Sequence, residues 1–539
     1  MTLHTLPTLP KRMLAAVMLL VVLALTLAPQ AFAHATLEKT VPAANVKLAE
    51  SPPFVELTFN EAVEPGAGSL EVVDSKSNKI KTEDPVLENG GTTLKAALPT
   101  LGDGVYSVSY HIISEDGHPI SGSYAFVVGN PPDWKDGETF ATQVSNSKGM
   151  QQNMLYVVRV LYYAALLLAT GIALWSVIIR KPSESLQSAF KRLSLIGMRA
   201  LLLTVLVHIF LQVNELMKGQ PISSWGSLFT NTTTGRAWLE LIVLVLLGFA
   251  AQRFKEKFVS LLWVVLLLGV ESLIGHPAAN DQKILTIAFD FIHLAASAVW
   301  AGGLAVLLYV WYADRKEAGR FGASFSRGAL ISLVVLVISG VTMTLLFLPK
   351  LSYLWLTTWG GLLTVKVVLV VAVLVTGTLL RLRMKKSGFP AGSLLKADAV
   401  MMACIVAIAA VFTYMSPLPP NEPYNFHQMG EDMHVTFNVS PNVPGGDNTV
   451  SLHVWLPEAS GAPKSVILRL HSDAKKDAPI DIPLVKDDSE PNDAFPGYIS
   501  ASYEATGPFL PYASKWTAEI RVMDQDDNEL VRETAFRNY

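Results

Sequence analysis

Between residues 154 and 415 the chain carries eight apolar segments, roughly 154–179, 194–216, 237–252, 258–275, 286–311, 328–348, 361–380 and 397–415, and nothing else restricts its fold as severely. In hydrocarbon a segment must satisfy its own backbone N–H and C=O groups, so such runs fold as helices. Crossing a bilayer takes ~20 apolar residues, which most of the eight reach; the third and fourth are short, which predicts local thinning or little tilt. Only 16% of residues are charged and the mean hydropathy is +0.37, as expected when the membrane-embedded part is large. Basic residues in short loops set the orientation. With the N-terminal part outside, the loops after segments one, three, five and seven are cytoplasmic and hold sixteen Lys and Arg. The opposite loops hold four, Lys218, Arg236, Lys283 and Lys350. An even number of spans returns the C-terminal part to the outside.

Ionisable groups at membrane depth are costly and mark functional positions. The stretch 271–303 places Glu271, His276, Asp290 and His293 on two apolar segments joined by a polar turn. His208 and His293 fall at matching depth, roughly 10–12 Å below the outer surface by helix rise. Arg159, Glu240 and Lys366 lie in the outer parts of segments one, three and seven. The expectation is a polar funnel open to the outside and ending near the bilayer midplane, with His208, Glu271, His276, Asp290 and His293 along a membrane pathway for a metal. Hydrogen bonding between helices is the competing reading of each residue taken singly.

Lys11 and Arg12 precede an apolar run from Met13 to Leu27, and Ala31-Phe32-Ala33 supplies a signal-peptidase pattern, so residues 1–33 read as a signal peptide. Cleavage after Ala33 makes His34 the mature N-terminus, whose free amine and imidazole can chelate one metal ion. Residues 34–130 alternate short β-type runs with turn signals and read as a β-sandwich. In 55–60, Val55, Leu57 and Phe59 share one face. Between the last two runs, Asp116-Gly117-His118-Pro119 can aim a carboxylate and an imidazole at one point, a nitrogen and oxygen set that suits Cu(II). Asp-Gly and His-Pro are also ordinary turn pairs, and the residues alone leave both readings open.

Other chemistries find little support. A net charge of -3 gives no reason to expect nucleic acid, and the single cysteine, Cys404, excludes a disulfide framework or a thiolate cluster. No phosphate-cradling Gly-rich loop is present. The residues argue for a carrier rather than an enzyme.

His34 directly after Ala-Phe-Ala, the Asp-Gly-His-Pro turn and a sandwich of this size resemble the CopC family of secreted copper-binding proteins. That resemblance implies a Cu(II) site formed by His34, Asp116 and His118, and the absence of Met from this sandwich implies the Cu(II) type alone. Farther on, IGHP at 274–277, HLAASAVWAGGL at 293–304 and WGGLLTVKVVLV at 359–370 resemble the CopD family of copper-transporting membrane proteins, with eight spans. The family-matching positions are His276, His293, Trp300, Gly302, Gly303 and Lys366; the glycines are expected at a close helix approach and only the histidines as direct ligands.

Residues 131–153 read as a polar linker and 416–433 as a Pro-rich linker with a His/Met loop. In that loop and just after it, His427, Met429, Met433 and His434 offer a soft set suited to Cu(I), against packing as the alternative. Residues 434–539 return to β-type runs and read as a second sandwich with a YtkA-like resemblance.

The fold class expected is therefore multidomain: an extracytoplasmic β-sandwich, an eight-helix transmembrane bundle and a second extracytoplasmic β-sandwich, in the plasma membrane. The expected function is copper acquisition and transport, with Cu(II) capture by the first sandwich and import through the bundle. Its partners are copper ions, the lipid bilayer and an extracytoplasmic copper donor or reductase. Two alternatives stand beside it: a haem held between His208 and His293 for electron transfer or copper reduction, and a surface copper buffer or sensor.

Overall fold

The computed structural model describes residues 37–42, 47–48, 50–59, 62–64, 69–75, 78–115, 117, 119–129, 150–217, 220, 222, 225–253, 256–280, 282–348, 351, 353–415, 417, 421, 423–428, 430, 432–473, 479–486 and 497–539. The helical block and the β-rich parts fall into separate compact units.

The N-terminal domain has nine strands: β1 (Leu37–Val41), β2 (Lys47–Leu48), β3 (Phe54–Phe59), β4 (Ser69–Asp74), β5 (Lys79–Ile80), β6 (Val86–Glu88), β7 (Thr93–Ala97), β8 (Gly104–Ile113) and β9 (Pro119–Val128). They form a four-stranded sheet, β1-β3-β7-β6, and a five-stranded sheet, β2-β9-β8-β4-β5. The expected alternation is present: Val55, Leu57 and Phe59 on β3 are buried in one core with Val108, Tyr110 and Ile112 on β8. Each such side chain contributes about 1.5–3 kcal/mol of burial.

The C-terminal domain is built from β10 (Tyr424–Gln428), β11 (His434–Ser440), β12 (Asn448–Pro457), β13 (Ser465–Ser472), β14 (Ile480–Ile482), β15 (Val485–Lys486), β16 (Tyr498–Gly507), β17 (Lys515–Met523) and β18 (Glu529–Arg537). The sheets run β10-β11-β12-β16-β15 and β14-β13-β17-β18. Strand β10 lies inside the stretch read as linker; it pairs with β11 from Tyr424 opposite Val439 to Gln428 opposite Val435, so the domain starts earlier than position 434.

The helical block comprises α1 (Met150–Ile178), α2 (Glu184–Leu216), α3 (Trp225–Asn231), α4 (Thr233–Ala251), α5 (Lys257–Glu271), α6 (His276–Ala279), α7 (Lys283–Ala313), α8 (Arg315–Phe347), α9 (Tyr353–Leu356), α10 (Thr358–Ser387) and α11 (Gly392–Phe412). Side-chain caps start several of them: Ser183 accepts from Leu186 N–H, Thr232 from Gly235, Asp314 from Lys316 and Glu317, and Thr357 from Gly360. Gly388, at φ +75°, closes α10 in the left-handed conformation that glycine adopts without strain.

Among the described residues seven helices are long and apolar enough to cross a membrane, not the eight expected. The exception is α5, whose 15 residues rise about 22 Å against ~30 Å of hydrocarbon. Its apolar run continues to Gly275, but the helix stops at Glu271 because Gly275 takes φ +78° and Pro277 follows without an N–H to give. Even so, the chain passes from one end of the block to the other. Lys257 donates to the carbonyls of Val177 and Ile179 at the close of α1, and His276 Nε2 reaches the Met415 carbonyl beyond α11. Below, the end where α1 begins and α11 finishes is the upper end.

Candidate functional site

Glu271, at the last turn of α5, accepts a 2.5 Å hydrogen bond from the Tyr162 hydroxyl on α1. Both are buried, and a carboxylate out of water needs such a donor. Next to it, Asp290 on α7 bonds Ser272 and interacts electrostatically with Glu271 and with Lys366 on α10. Lys366 in turn acts on His293, one turn after Asp290, and lies 4.9 Å from the Phe412 ring centre. On the opposite side Arg159 donates from Nε to the Ala410 carbonyl at 3.2 Å and interacts with Glu271 and with His208 on α2. His208 is 6% exposed and lies flat on Tyr162, with ring centres 5.0 Å apart and planes 9° apart. Five helices thus contribute to one line of neighbours: His208, Arg159, Tyr162, Glu271, Asp290, Lys366 and His293.

The partners of the two family-matching histidines favour one tautomer of each neutral ring. Ser339 on α8 donates its hydroxyl hydrogen to the Val335 carbonyl at 2.7 Å, so at 2.8 Å from His293 Nδ1 its oxygen accepts. His293 therefore presents the lone pair of Nε2. For His276, a carbonyl can only accept, so Nε2 carries the hydrogen toward Met415 at 3.0 Å and the lone pair is on Nδ1. In His293 a ring nitrogen is fixed by a neighbouring acceptor while its opposite nitrogen is left basic, the usual arrangement of a metal-binding histidine.

Among the described residues no group of three or more His, Cys, Asp or Glu is placed to hold a metal ion together. The upper half is a line of one- and two-ligand positions, not a closed cage. Glu240, expected in the funnel, is exposed on α4 and does not join the line. Tyr162, Ser272 and Ser339 do join it; being uncharged, they gave no signal in the sequence apart from the three-residue helical spacing of Tyr162 from Arg159.

Below this line the helices approach one another closely. A Cβ on Gly302 of α7 would lie 2.3 Å from the Gly171 carbonyl carbon on α1, and one on Gly303 would lie 2.4 Å from Trp175 Nε1. Trp175 donates to the Val299 carbonyl at 2.7 Å, and Trp300 is buried in the same core. The two glycines expected at a close helix approach sit at one.

The N-terminal site residues His34, Asp116 and His118 lie outside the described residues, as does the leader 1–33. At the C-terminal domain Met429 and the His427 side chain also lie outside them. Met433 is fully buried in the sandwich core, which occupies its thioether in packing, and His434 is buried against the Tyr498 ring at 4.4 Å. His427 thus lies on β10 and His434 on β11 of a paired hairpin, and Met433 directly precedes β11. His453 and His471 bond Ser502 and Glu519 across the strands.

Residues 37–129 match the CopC domain family, and residues 150–284 match the copper resistance protein D-like, N-terminal domain family. The copper transport protein CutJ of Bacillus subtilis (strain 168) is 29% identical over 450 residues, 77% of this chain and 80% of CutJ. Protein YobA of Escherichia coli (strain K12) is 35% identical over 103 residues, 19% of this chain and 82% of YobA. Among solved structures, CopC from Methylosinus trichosporium OB3b is 29% identical, covering 19% of this chain and all of its own, with a TM-score of 0.17.

Proposed function

This chain belongs to the CopC–CopD family of copper transport and resistance proteins, and on that premise we propose that it takes copper inward across the plasma membrane. In this reading His34, Asp116 and His118 capture Cu(II) outside, an external donor or reductant hands copper on, and the upper end of the helical block, facing out, receives it. One observation carries the reading. Ionisable groups from five helices form a continuous line in the upper half, ending at His293, ten residues or about 15 Å below the start of α7. Sites with few ligands suit passage, since an ion must bind well enough to come in and weakly enough to leave. The direction follows from the field: an inside-negative potential drives a monovalent cation inward by ~2.3 kcal/mol per 100 mV.

The test is copper accumulation by proteoliposomes holding the processed protein under an imposed inside-negative potential. Accumulation that follows the potential and falls to background in His293→Ala supports the proposal. Wild-type vesicles that accumulate no more than empty ones refute transport. A chain starting at Ala35 that binds Cu(II) as tightly as one starting at His34 refutes the capture step alone.

A further inference from the structure

Among the described residues the lower half of the helical block contains two buried acids that the line of upper groups does not use: Glu317, which pairs with Arg320 at 3.7 Å, and Asp398, on which no cation acts. Asp398 lies six residues into α11, about 9 Å from its lower end. It is 4% exposed, its Oδ1 has no hydrogen-bond partner, and among the described residues no charged group acts on it. A carboxyl group in that setting is either protonated or paired with a cation, because an unpaired ion or an orphaned acceptor in hydrocarbon costs several kcal/mol. Its side of the helix is well defined. Leu395 and Ile405, three residues before and seven after, are buried in the block's main core, and Met401 and Met402, three and four residues on, pack against that core with Met384 of α10. Helical spacing therefore stacks a thioether one turn above the carboxylate. The Trp311 indole N–H, at the same end, likewise lacks a hydrogen-bond partner.

We infer that Asp398, with the Met402 thioether as its soft partner, is a second copper station on the lower side of the block, from which the ion leaves. This rests on the transport reading. A carboxylate neutralises the cation and a thioether favours Cu(I). By helix rise along α11 the station lies about 18 Å below Ala410, the residue that Arg159 contacts. Among the described residues Asp398 Oδ1 is the one buried carboxyl oxygen without a hydrogen-bond partner.

Asp398→Asn keeps the volume and can still hold a trapped water, so it separates a cation site from a hydrated one. In full-length protein in proteoliposomes, the expected result is at least a tenfold loss of copper uptake in Asp398→Asn, with Asp398→Glu retaining more than the amide. Uptake equal to wild type in Asp398→Asn overturns the station, leaving a trapped water only. Met402→Leu conserves volume, so folding is not at issue. Cu(I)-loaded full-length protein should lose one copper–sulfur path in its X-ray absorption spectrum on that change, and an unchanged spectrum overturns the thioether assignment. If the wild type itself moves no copper the transport reading fails; if it does and both variants match it, only this station fails.

Discussion

The upper and lower halves of the helical block solve different problems with the same helices. Above, α1 gives Arg159 and Tyr162 to a line of polar groups; three turns farther down it gives Gly171 and Trp175 to a packed crossing with α7. Helix α7 divides the same way, with Asp290 and His293 above and Val299, Gly302 and Gly303 below. Between lipid-soluble helices there is little hydrophobic drive to associate, so close backbone contact and interhelical hydrogen bonds must hold the bundle. The division teaches that assembly is entrusted to one depth and ion chemistry to another, so substitutions should separate loss of fold from loss of transport.

The strongest attempt to break that separation is Gly302→Val. With the Gly171 backbone 2.3 Å from the added Cβ, the crossing has to open. A loss on the order of 3 kcal/mol or more is expected, seen as a lower Tm and less monodisperse protein; a wild-type Tm would contradict the crossing. Next comes Tyr162→Phe, which strips one of the two tyrosine donors of buried Glu271, Tyr163 being the other, and should cost about 1–3 kcal/mol. Here uptake should fall more than stability does, and unchanged uptake would remove Glu271 from the path. Ser339→Ala frees the ring of His293, with copper affinity in transport assays expected to drop roughly 10- to 100-fold, while Ser339→Thr keeps most of it. Equal behaviour of the two variants would argue against the tautomer assignment. Trp175→Phe removes one hydrogen bond to Val299, worth about 1 kcal/mol, and should leave the KM for copper untouched.

The smallest effect lies in the C-terminal sandwich and calibrates the others against water. Hydrogen bonds from Arg521, and then from His471, hold the Glu519 carboxyl below its ordinary value of 4.5. A depressed carboxylate stabilises fully above that value, and the contribution fades as the pH falls below 4.5 toward the lowered one. Arg521→Ala should therefore have the smallest effect of the series near neutral pH, since such pairs are screened. Hydrogen exchange across β17 in the full chain measures it; a loss as large as that of Gly302→Val would mean that the surface pair is not screened.

Much of the fold is legible in the sequence because alternation and apolar length are strong signals. Strand β3 falls within a residue of the period-2 run at 55–60. Strand β10 escaped, since Tyr424–Gln428 follows a Pro-rich stretch and its partner strand supplies what its own residues do not announce. The end of α5 escaped too: hydropathy carries on through Leu273 and Ile274, whereas backbone geometry at Gly275 ends the helix. In the candidate site, charge made Glu271, Asp290, His293 and Lys366 visible and equally promoted Glu240, which α4 turns outward. Tyr162 and Ser339 were silent because a hydroxyl is common in any helix and only tertiary placement makes it a partner. Met433 misled for the reverse reason, a thioether being as good a core filler as a ligand.

The early stop of α5 has an electrical consequence. Where a helix falls short of the full hydrocarbon width, polar solvent and headgroups can follow the chain downward, and the applied voltage drops over the insulating remainder. A cation at Glu271 would then have crossed little of the field, so the steepest voltage dependence belongs to the passage from His293 toward Asp398.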